Sequence, residues 1–262
     1  MSRSELLMAT PGFSIVPITG LPMVEAGDPL SDQILEAISS NDIDLTHGDI
    51  VCVAQKVVSK AEGQLIRIDS VTPSQEAIDL GAETDKDPRL VELILQESSE
   101  VLRKRMGVLI VRHNLGLVGA HAGIDQSNVD HEDGEMALLL PKDPDASAAK
   151  LKADIKDKIG IDVGVIITDS HNRPWRMGTI GAAIGCAGVT VLDDHRGGED
   201  MYGRELKVTL INRADALAGA ATLAMGETTE KIPLALIRGL PFEDGSQKAA
   251  DINRPLEEDL FR

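Results

Sequence analysis

Short, almost wholly apolar runs recur along the chain and are typical of strands that are buried on both faces. They predict strands at 13–18, 50–54, 107–112, 115–120, 163–168, 206–211 and 234–237. Only His113 and Asn114 separate the runs at 107–112 and 115–120, which indicates a hairpin. The Gly-rich apolar stretch 178–188 is expected to be compact, and no element is predicted for it.

Between these runs, apolar residues three or four positions apart predict amphipathic helices. A capping residue followed by proline marks helix starts at 28–29, 72–73 and 87–88. The last of these helices is expected to extend to the cations at 103–105, which would suit a helix C-terminus. A fourth helix is expected to end at Gly160, and an Ala-rich fifth to span 214–225. This irregular order predicts an α+β fold with mixed or antiparallel sheets rather than a doubly wound fold. The chain is expected to form one unit over 1–262, with two interleaved subdomains as the alternative.

The composition is that of a globular protein with an acidic surface. Hydrophobic residues make up 42% of the 262 positions and charged residues 26%, and the net charge is -17. No basic face offsets this charge, which disfavours nucleic acids and anionic membranes as partners. No apolar run has the length of a membrane span and the N-terminus does not resemble a signal peptide, so a cytoplasmic protein is expected. Cys52 and Cys186 have apolar neighbours, as reduced core thiols do.

Several common nucleotide-binding and catalytic motifs are missing from the chain. It contains no Gly-Lys dipeptide, hence no Walker A phosphate loop, and it lacks the Gly-x-Gly-x-x-Gly dinucleotide fingerprint. His-Glu-x-x-His and Gly-x-Ser-x-Gly are absent too, which disfavours metalloproteases and α/β-hydrolases. A nucleotide, if one binds, must be held by another arrangement.

Polar residues gather where four apolar segments end, at 58–63, 123–128, 166–176 and 225–229. The ends of strands and helices hold such side chains rigidly, which suits a functional site. Asp125, Asp169 and Glu227 supply hard oxygen atoms of the kind that Mg²⁺ or Mn²⁺ takes when it shares its shell with phosphates.

Cations for phosphate oxygens are available in the same segments, from Lys60 and from Arg173 or Arg176. Each residue also has a simpler explanation. An Asp at a strand end commonly caps a turn, and Glu227 would suit a solvated loop. Lys60 would suit the surface, and Trp175 would suit a core. The residues by themselves therefore predict no more than a divalent-metal enzyme acting on a phosphate or a carboxylate.

Eight motifs in the chain follow one another in the order of a known family. They are GLP (20–22), VVSKAEG (57–63), AGIDQSN (122–128), GVIITDS (164–170), RPWR (173–176), YGREL (202–206), MGE (225–227) and PLEEDLFR (255–262). With this set the chain resembles coenzyme F420-0:L-glutamate ligase, also called F420 γ-glutamyl ligase, in its stand-alone form without a C-terminal nitroreductase-like domain. Each motif alone is weak, but the ordered set covers nearly the whole chain and is specific.

The resemblance implies an unusual α+β fold that forms an intertwined homodimer. It also implies that GTP is the co-substrate, that each subunit binds two divalent cations, Mn²⁺ or Mg²⁺, and that K⁺ assists. Position by position, Asp125 and Asp169 resemble the ligands of one metal, and Ser170 and Glu227 resemble those of the other. Asp125, Asp169 and Lys60 are then the expected catalytic residues.

The resemblance assigns a larger set of residues to GTP. This set is Leu21, Pro22, Met23, Val24, Gln55, Lys56, Lys60, Asn128, Met225, Gly226, Glu227, Thr228, Thr229, Glu230, Lys231 and Ile232. Two departures from the family pattern fall here. Gln55 and Lys56 stand where some relatives carry Ser-Thr, and the run after Glu227 is less Gly-rich than in some relatives.

The implied reaction joins L-glutamate, once or more than once, to coenzyme F420-0. The γ-phosphoryl group of GTP passes to a carboxylate of F420-0, the amine of glutamate attacks the acyl phosphate, and phosphate leaves. Two alternatives stay open. One is a metal-dependent phosphohydrolase that uses the same carboxylates with water as the nucleophile. The other is a non-catalytic protein that binds a deazaflavin or a nucleotide.

Overall fold

A five-stranded mixed sheet forms the centre of the computed structural model, which describes residues 12–132, 134–241 and 245–260. In chain order the strands are β1 (Ser14–Ile18), β2 (Ile50–Ala54), β3 (Leu65–Arg67), β4 (Ser98–Arg105), β5 (Val108–His113), β6 (Val118–Ala120), β7 (Met136–Leu138), β8 (Gly164–Asn172), β9 (Thr179–Ala187), β10 (Leu192–Asp194), β11 (Leu210–Asn212) and β12 (Leu234–Arg238). The α-helices are α1 (Leu30–Ser40), α2 (Gln55–Ala61), α3 (Gln75–Thr84), α4 (Pro88–Gln96), α5 (Pro144–Ile159) and α6 (Arg213–Met225).

The central sheet has the order β1-β12-β2-β8-β9. Within it β2 and β8 run parallel, and the other neighbours are antiparallel. Smaller antiparallel sheets are formed by β4-β5-β6, by β3 with β7 and by β10 with β11. This arrangement confirms the prediction of an α+β fold with mixed sheets. Within the described residues, no helix combines the length and the apolar character that crossing a membrane requires.

Helices cover both faces of the central sheet, and the alternation of side chains along a strand explains how. Val51 and Val53 of β2 point to one face and pack in a core with residues of α1 and α5. Ile50 and Cys52 point to the other face and pack with the Ala-rich helix α6. A strand buried on both faces reads as a continuous apolar run, which is why β2 could be predicted from the sequence.

Glycines in β9 let two helices approach the sheet closely. A Cβ atom at Gly181 would lie 2.5 Å from the carbonyl oxygen of Ala218 in α6. A Cβ atom at Gly185 would lie 2.5 Å from the carbonyl carbon of Pro144 at the start of α5. The Gly-rich stretch 178–188 therefore contains a strand, and packing rather than turn formation explains these two glycines.

Several predicted element ends are confirmed. The strand at 50–54 is β2, α4 begins at Pro88 behind the cap Asp87, and α5 ends at Gly160, which has a φ of +73°. Other starts are displaced. Helix α3 starts at Gln75, later than predicted. Its cap is Ser74 rather than residue 72, because the side chain of Ser74 accepts a hydrogen bond from the amide of Ala77.

The prediction that the helix at 87–88 continues to 105 is wrong. Helix α4 ends at Gln96, and the following residues form β4, which pairs with β5 across a turn at Gly107. Pairing along this hairpin satisfies the backbone groups of β4, and such tertiary pairing overrides weak helical propensity. The cations at 103–105 consequently lie along a strand and do not complement a helix end.

Candidate active site

A cavity of about 480 Å³ opens where β2 ends beside the middle of β8. The two strands are parallel, and Ala54, the last residue of β2, is paired with Thr168 of β8. The residues that follow each of them, Gln55 and Asp169, therefore enter the cavity wall together. Ligands commonly bind at the carboxyl ends of parallel strands for this reason. The other walls come from 21–24, 128–130 and the segment after α6.

Two carboxylates and one ammonium group form one charged cluster at the cavity. Lys56, in the first turn of α2, makes an ion pair with Asp125. Burial raises the pKa of Asp169 to about 6, and the negative charge of Asp125 acts in the same direction. The charges of His171 and Lys56 oppose this shift. Asp125 and Asp169 thus interact electrostatically, and the positive charge of Lys56 stabilises the ionised form of both carboxylates.

The backbone before Asp125 has an unusual course that fixes its position. His121, Ala122 and Gly123 all have positive φ, at 55°, 55° and 66°. This left-handed run redirects the chain after β6, and the amide and carbonyl of Asp125 then bond with Leu138 at distances of 3.0 Å and 2.8 Å. Positive φ at residues other than glycine costs energy and is common at functional sites.

Two hydroxyl groups of the β8–β9 hairpin bind the carboxylate of Glu227. The hydroxyl of Ser170 donates to Oε1 of Glu227 at 2.8 Å, and the hydroxyl of Thr179 donates to Oε2 at 2.7 Å. Glu227 follows α6, so the packing of α6 on β9 determines where this carboxylate stands. Ser170 and Glu227, the predicted ligands of one metal, are therefore in contact, whereas Asp125 and Asp169, those of the other, interact electrostatically.

One chain of contacts joins three walls of the cavity. Nζ of Lys60 donates to the carbonyl of Asn128 at 3.0 Å, and Nδ2 of Asn128 donates to the carbonyl of Thr228 at 3.1 Å. Burial lowers the pKa of Lys60, and the positive charge of Lys56 lowers it further. Lysines and carboxylates line the cavity together, and its lysines have the chemistry to pair with anionic groups of a ligand. The charged lining residues are Lys56, Lys60, Lys231, Asp130, Asp169, Glu227 and Glu230.

Two buried polar atoms in the cavity wall lack a partner. They are Oε1 of Gln55 and Oγ1 of Thr168, and these two residues are only 1% and 4% exposed. Unpaired buried polar atoms are costly, so their presence in a cavity wall points to a bound ligand or water. The hard oxygen atoms of Asp125, Asp169, Ser170 and Glu227 also have the chemistry that Mg²⁺ and Mn²⁺ prefer. The residues present therefore fit the metal and nucleotide groups that the resemblance implies.

The predicted residues do not all meet at one point. Every residue predicted for the GTP site lines the cavity, as do Asp169 and Ser170. Asp125 does not line it but reaches it through Lys56. Across the described ranges, no three His, Cys, Asp or Glu residues form a group that could hold a metal, so Asp125, Asp169 and Glu227 are not one cluster. The assignment of metal ligands stays a prediction.

The arginines that could have supplied countercharge lie elsewhere. Arg173 and Arg176 belong to the turn between β8 and β9, where Nη1 of Arg173 donates to the carbonyl of Gly178, and neither lines the cavity. Trp175 in the same turn is 80% exposed, so its interpretation as core packing is wrong.

Some cavity residues were not predicted. They are Ala54, Val57, Val129, Asp130, Thr168, Thr222 and Pro233. Five of the seven directly adjoin a predicted residue in sequence, so extending each predicted stretch by one residue would have included them. Asp130 lies two positions from Asn128, and only the packing of α6 brings Thr222 to the cavity.

The chain is thus an α+β protein with a cavity beside the end of β2 that lysines and carboxylates line together. A sequence profile of the family described as F420-0:Gamma-glutamyl ligase matches residues 19–239. A Coenzyme F420:L-glutamate ligase from Methanothermobacter thermautotrophicus is 43% identical over 255 residues, covering 96% of this chain and 99% of that protein. The protein of the same name from Methanopyrus kandleri is also 43% identical, covering 96% of this chain and 98% of its own length. Its namesake from Methanocaldococcus jannaschii is 41% identical, with 92% and 94% covered. The chain belongs to the F420-0:gamma-glutamyl ligase family, a family of ligases.

Proposed function

We propose that this protein adds one or more L-glutamates to coenzyme F420-0 in a reaction driven by GTP. One observation carries the proposal beyond family membership: all the residues assigned to GTP by resemblance line a single cavity. These residues come from four separate stretches of the chain, and folding alone brings them together. The cavity volume of about 480 Å³ lies in the usual range for small-molecule sites.

The walls of the cavity suit the different parts of a nucleotide. Leu21, Val24 and Met225 provide apolar surface for the base. Lys56 and Lys60 provide positive charge for the phosphates. The contacts of Asn128 with Lys60 and Thr228 hold the walls at a fixed separation, which favours a preorganised site.

Divalent cations, Mn²⁺ or Mg²⁺, would be held by Asp125 with Asp169 and by Ser170 with Glu227. When bound they supply positive charge that stabilises the phosphoryl group during transfer. They also explain how so acidic a chain accommodates a polyanion, since the cations offset its carboxylates. K⁺ is proposed as an assisting ion on the basis of the resemblance alone.

The proposed chemistry has two steps. A carboxylate oxygen of F420-0 attacks the γ-phosphorus of GTP, the bond to the β-phosphate oxygen breaks, and GDP departs. The amine of L-glutamate then attacks the acyl phosphate carbon, an amide forms, and inorganic phosphate and a proton leave. The protein's own contribution is mainly to position the reactants and to neutralise charge, with Lys60 acting on the phosphate oxygens.

We also propose that the protein is a homodimer. Large apolar side chains are exposed on the β8–β9 turn and on the segment before β11, including Trp175, Met177, Met201, Tyr202 and Val208, each at least 80% exposed. Surfaces of this kind commonly mark protein interfaces. Light scattering should give about twice the chain mass of 28.0 kDa, and a mass equal to one chain would contradict the dimer.

The test of the activity is a mass-spectrometric assay of purified protein with F420-0, L-glutamate, GTP and Mn²⁺, omitting each component in turn. We expect a product heavier by one or more glutamyl residues, matched by GDP, and lost with every omission. GDP formation that does not need glutamate and F420-0 would favour the phosphohydrolase. Tight nucleotide or deazaflavin binding without GDP would favour the non-catalytic protein.

A further inference from the structure

The side chain of Lys56 stands where a metal ion is expected to act. It is the second residue of α2, and its ammonium group pairs with the carboxylate of Asp125. Both side chains are 28% exposed, so the pair is more strongly coupled than one at the open surface. The same ammonium also stabilises the charged form of Asp169. Lys56 is therefore the positive charge that two neighbouring carboxylates share.

We infer that Lys56 is a resident counter-cation, which a divalent ion must displace from Asp125 before it can bind. This inference rests on the proposed function only in assigning a metal to Asp125 and Asp169. A divalent ion held by these carboxylates would meet the ammonium group at close range, and like charges at such distances repel strongly in a partly buried site. The ammonium group of Lys56 pairs with Oδ2 of Asp125, so an ion that takes this oxygen replaces the ammonium group.

The surroundings indicate where the displaced ammonium goes. Lys56 and Lys60 stand four positions apart on α2, so they share one side of the helix, and both line the cavity. Moving Lys56 away from Asp125 brings it towards this second cation, which is unfavourable in an empty cavity. A triphosphate in the cavity removes that penalty because it offers negative charge to both lysines.

A coupling between metal and nucleotide follows from this exchange. When the metal binds alone, its binding free energy is reduced by the cost of breaking the ion pair between Lys56 and Asp125. When GTP is also bound, its phosphates give Lys56 a new partner and offset that cost. Each ligand therefore strengthens binding of the other, and by linkage the effect is reciprocal. Lys56 makes the enzyme selective for the metal–nucleotide complex over the free ion.

The first test measures Mn²⁺ binding without nucleotide, by the electron paramagnetic resonance signal of the free ion. Lys56→Met should bind Mn²⁺ about tenfold or more tightly than the unmodified protein, since the competing charge is gone. Lys56→Gln is a second variant in case the first does not fold, and Lys56→Arg, which keeps the charge, should resemble the unmodified protein. Lys150→Met is the matched control, because Lys150 pairs with Asp154 on the surface of α5 and loses the same charge.

The second test repeats the titration with a non-hydrolysable GTP analogue. The analogue should tighten Mn²⁺ binding about tenfold in the unmodified protein and by a much smaller factor in Lys56→Met. Thermal unfolding gives a readout that does not depend on substrates: without metal, Lys56→Met should unfold at a lower temperature, and Mn²⁺ should raise that temperature more than in the unmodified protein.

The outcomes separate this inference from the proposed function. Equal or weaker Mn²⁺ binding by Lys56→Met and Lys56→Gln would overturn the inference even if the mass-spectrometric assay detects ligation. The expected Mn²⁺ pattern without ligation would uphold the inference and overturn the proposed function. Absence of Mn²⁺ binding in every variant, with ligation intact, would overturn both the inference and the metal assignment.

Discussion

Gly181 offers a sharp test of how the fold positions the site. It lies in β9 directly opposite Ser170 of β8, and its open face is covered by α6. A Cβ atom at this position would lie 2.5 Å from the carbonyl oxygen of Ala218 and closer still to Oγ1 of Thr222. The first distance is about 1 Å short of the closest favourable carbon–oxygen separation of about 3.5 Å. Helix α6 or strand β9 must therefore move in a Gly181→Ala variant.

The expected cost of Gly181→Ala is about 3 kcal/mol in the free energy of unfolding, at the upper end of the usual range for overpacking. For a chain of this size that corresponds to a melting temperature lower by about 6–12 °C. Gly219→Ala is a matched control in the same interface. Its Cβ would lie 3.6 Å from the nearest neighbour, an ordinary contact, and it sits inside α6. This variant should be more stable by about 0.5–1 kcal/mol because alanine is the better helix former.

The assay is thermal and urea unfolding followed by circular dichroism, with ligation measured on the same samples. Gly181→Ala should also lose activity at temperatures where it is folded, because a displaced α6 carries Glu227 away from Ser170 and Thr179. A melting temperature within about 2 °C of the unmodified protein would refute the packing argument. So would a comparable loss of stability in Gly219→Ala.

Other expectations concern single groups. Asp169→Asn should abolish ligation with an unchanged circular dichroism spectrum, since it removes a charge without changing shape; activity near normal with Mn²⁺ present would contradict the metal assignment. Lys60→Ala should weaken GTP binding about ten- to a hundredfold by calorimetry, the effect of losing one charged hydrogen bond; unchanged affinity would remove Lys60 from the site. Burial raises the pKa of Cys52 to about 12 and also raises the pKa of Cys186. Neither thiol should therefore react with iodoacetamide in the folded protein at neutral pH, and fast labelling would contradict their burial. Burial lowers the pKa of His121, so the folded state disfavours the protonated imidazole. The free energy of unfolding should therefore fall as the pH drops through about 6.5. In His121→Asn, urea titrations should show a smaller fall, and asparagine tolerates the positive φ at this position.

Some predictions that came from local signals are confirmed, whereas the helix start at 72–73 and the helix end at 103–105 are wrong. The apolar run of β2, the proline after Asp87 and the glycine that ends α5 each depend on residues a few positions apart. Such signals act through backbone preference and side-chain alternation, and tertiary contacts reinforce them here. The residues assigned to GTP come from four short stretches of the chain, which the fold brings to one cavity, and their role stays a prediction.

The α+β class and four of the five strands of the central sheet could be predicted from the amino-acid sequence. Other features depend on contacts between distant parts of the chain. Residues 98–105 became a strand because β5 was available to pair with them, and 178–188 became one because helices needed glycines to approach the sheet. The ion pair of Lys56 with Asp125 joins residues far apart in the chain, as does the alignment of Ala54 with Thr168. Contacts of this kind depend on the balance of packing and pairing over the whole molecule, and no short window of sequence contains that balance.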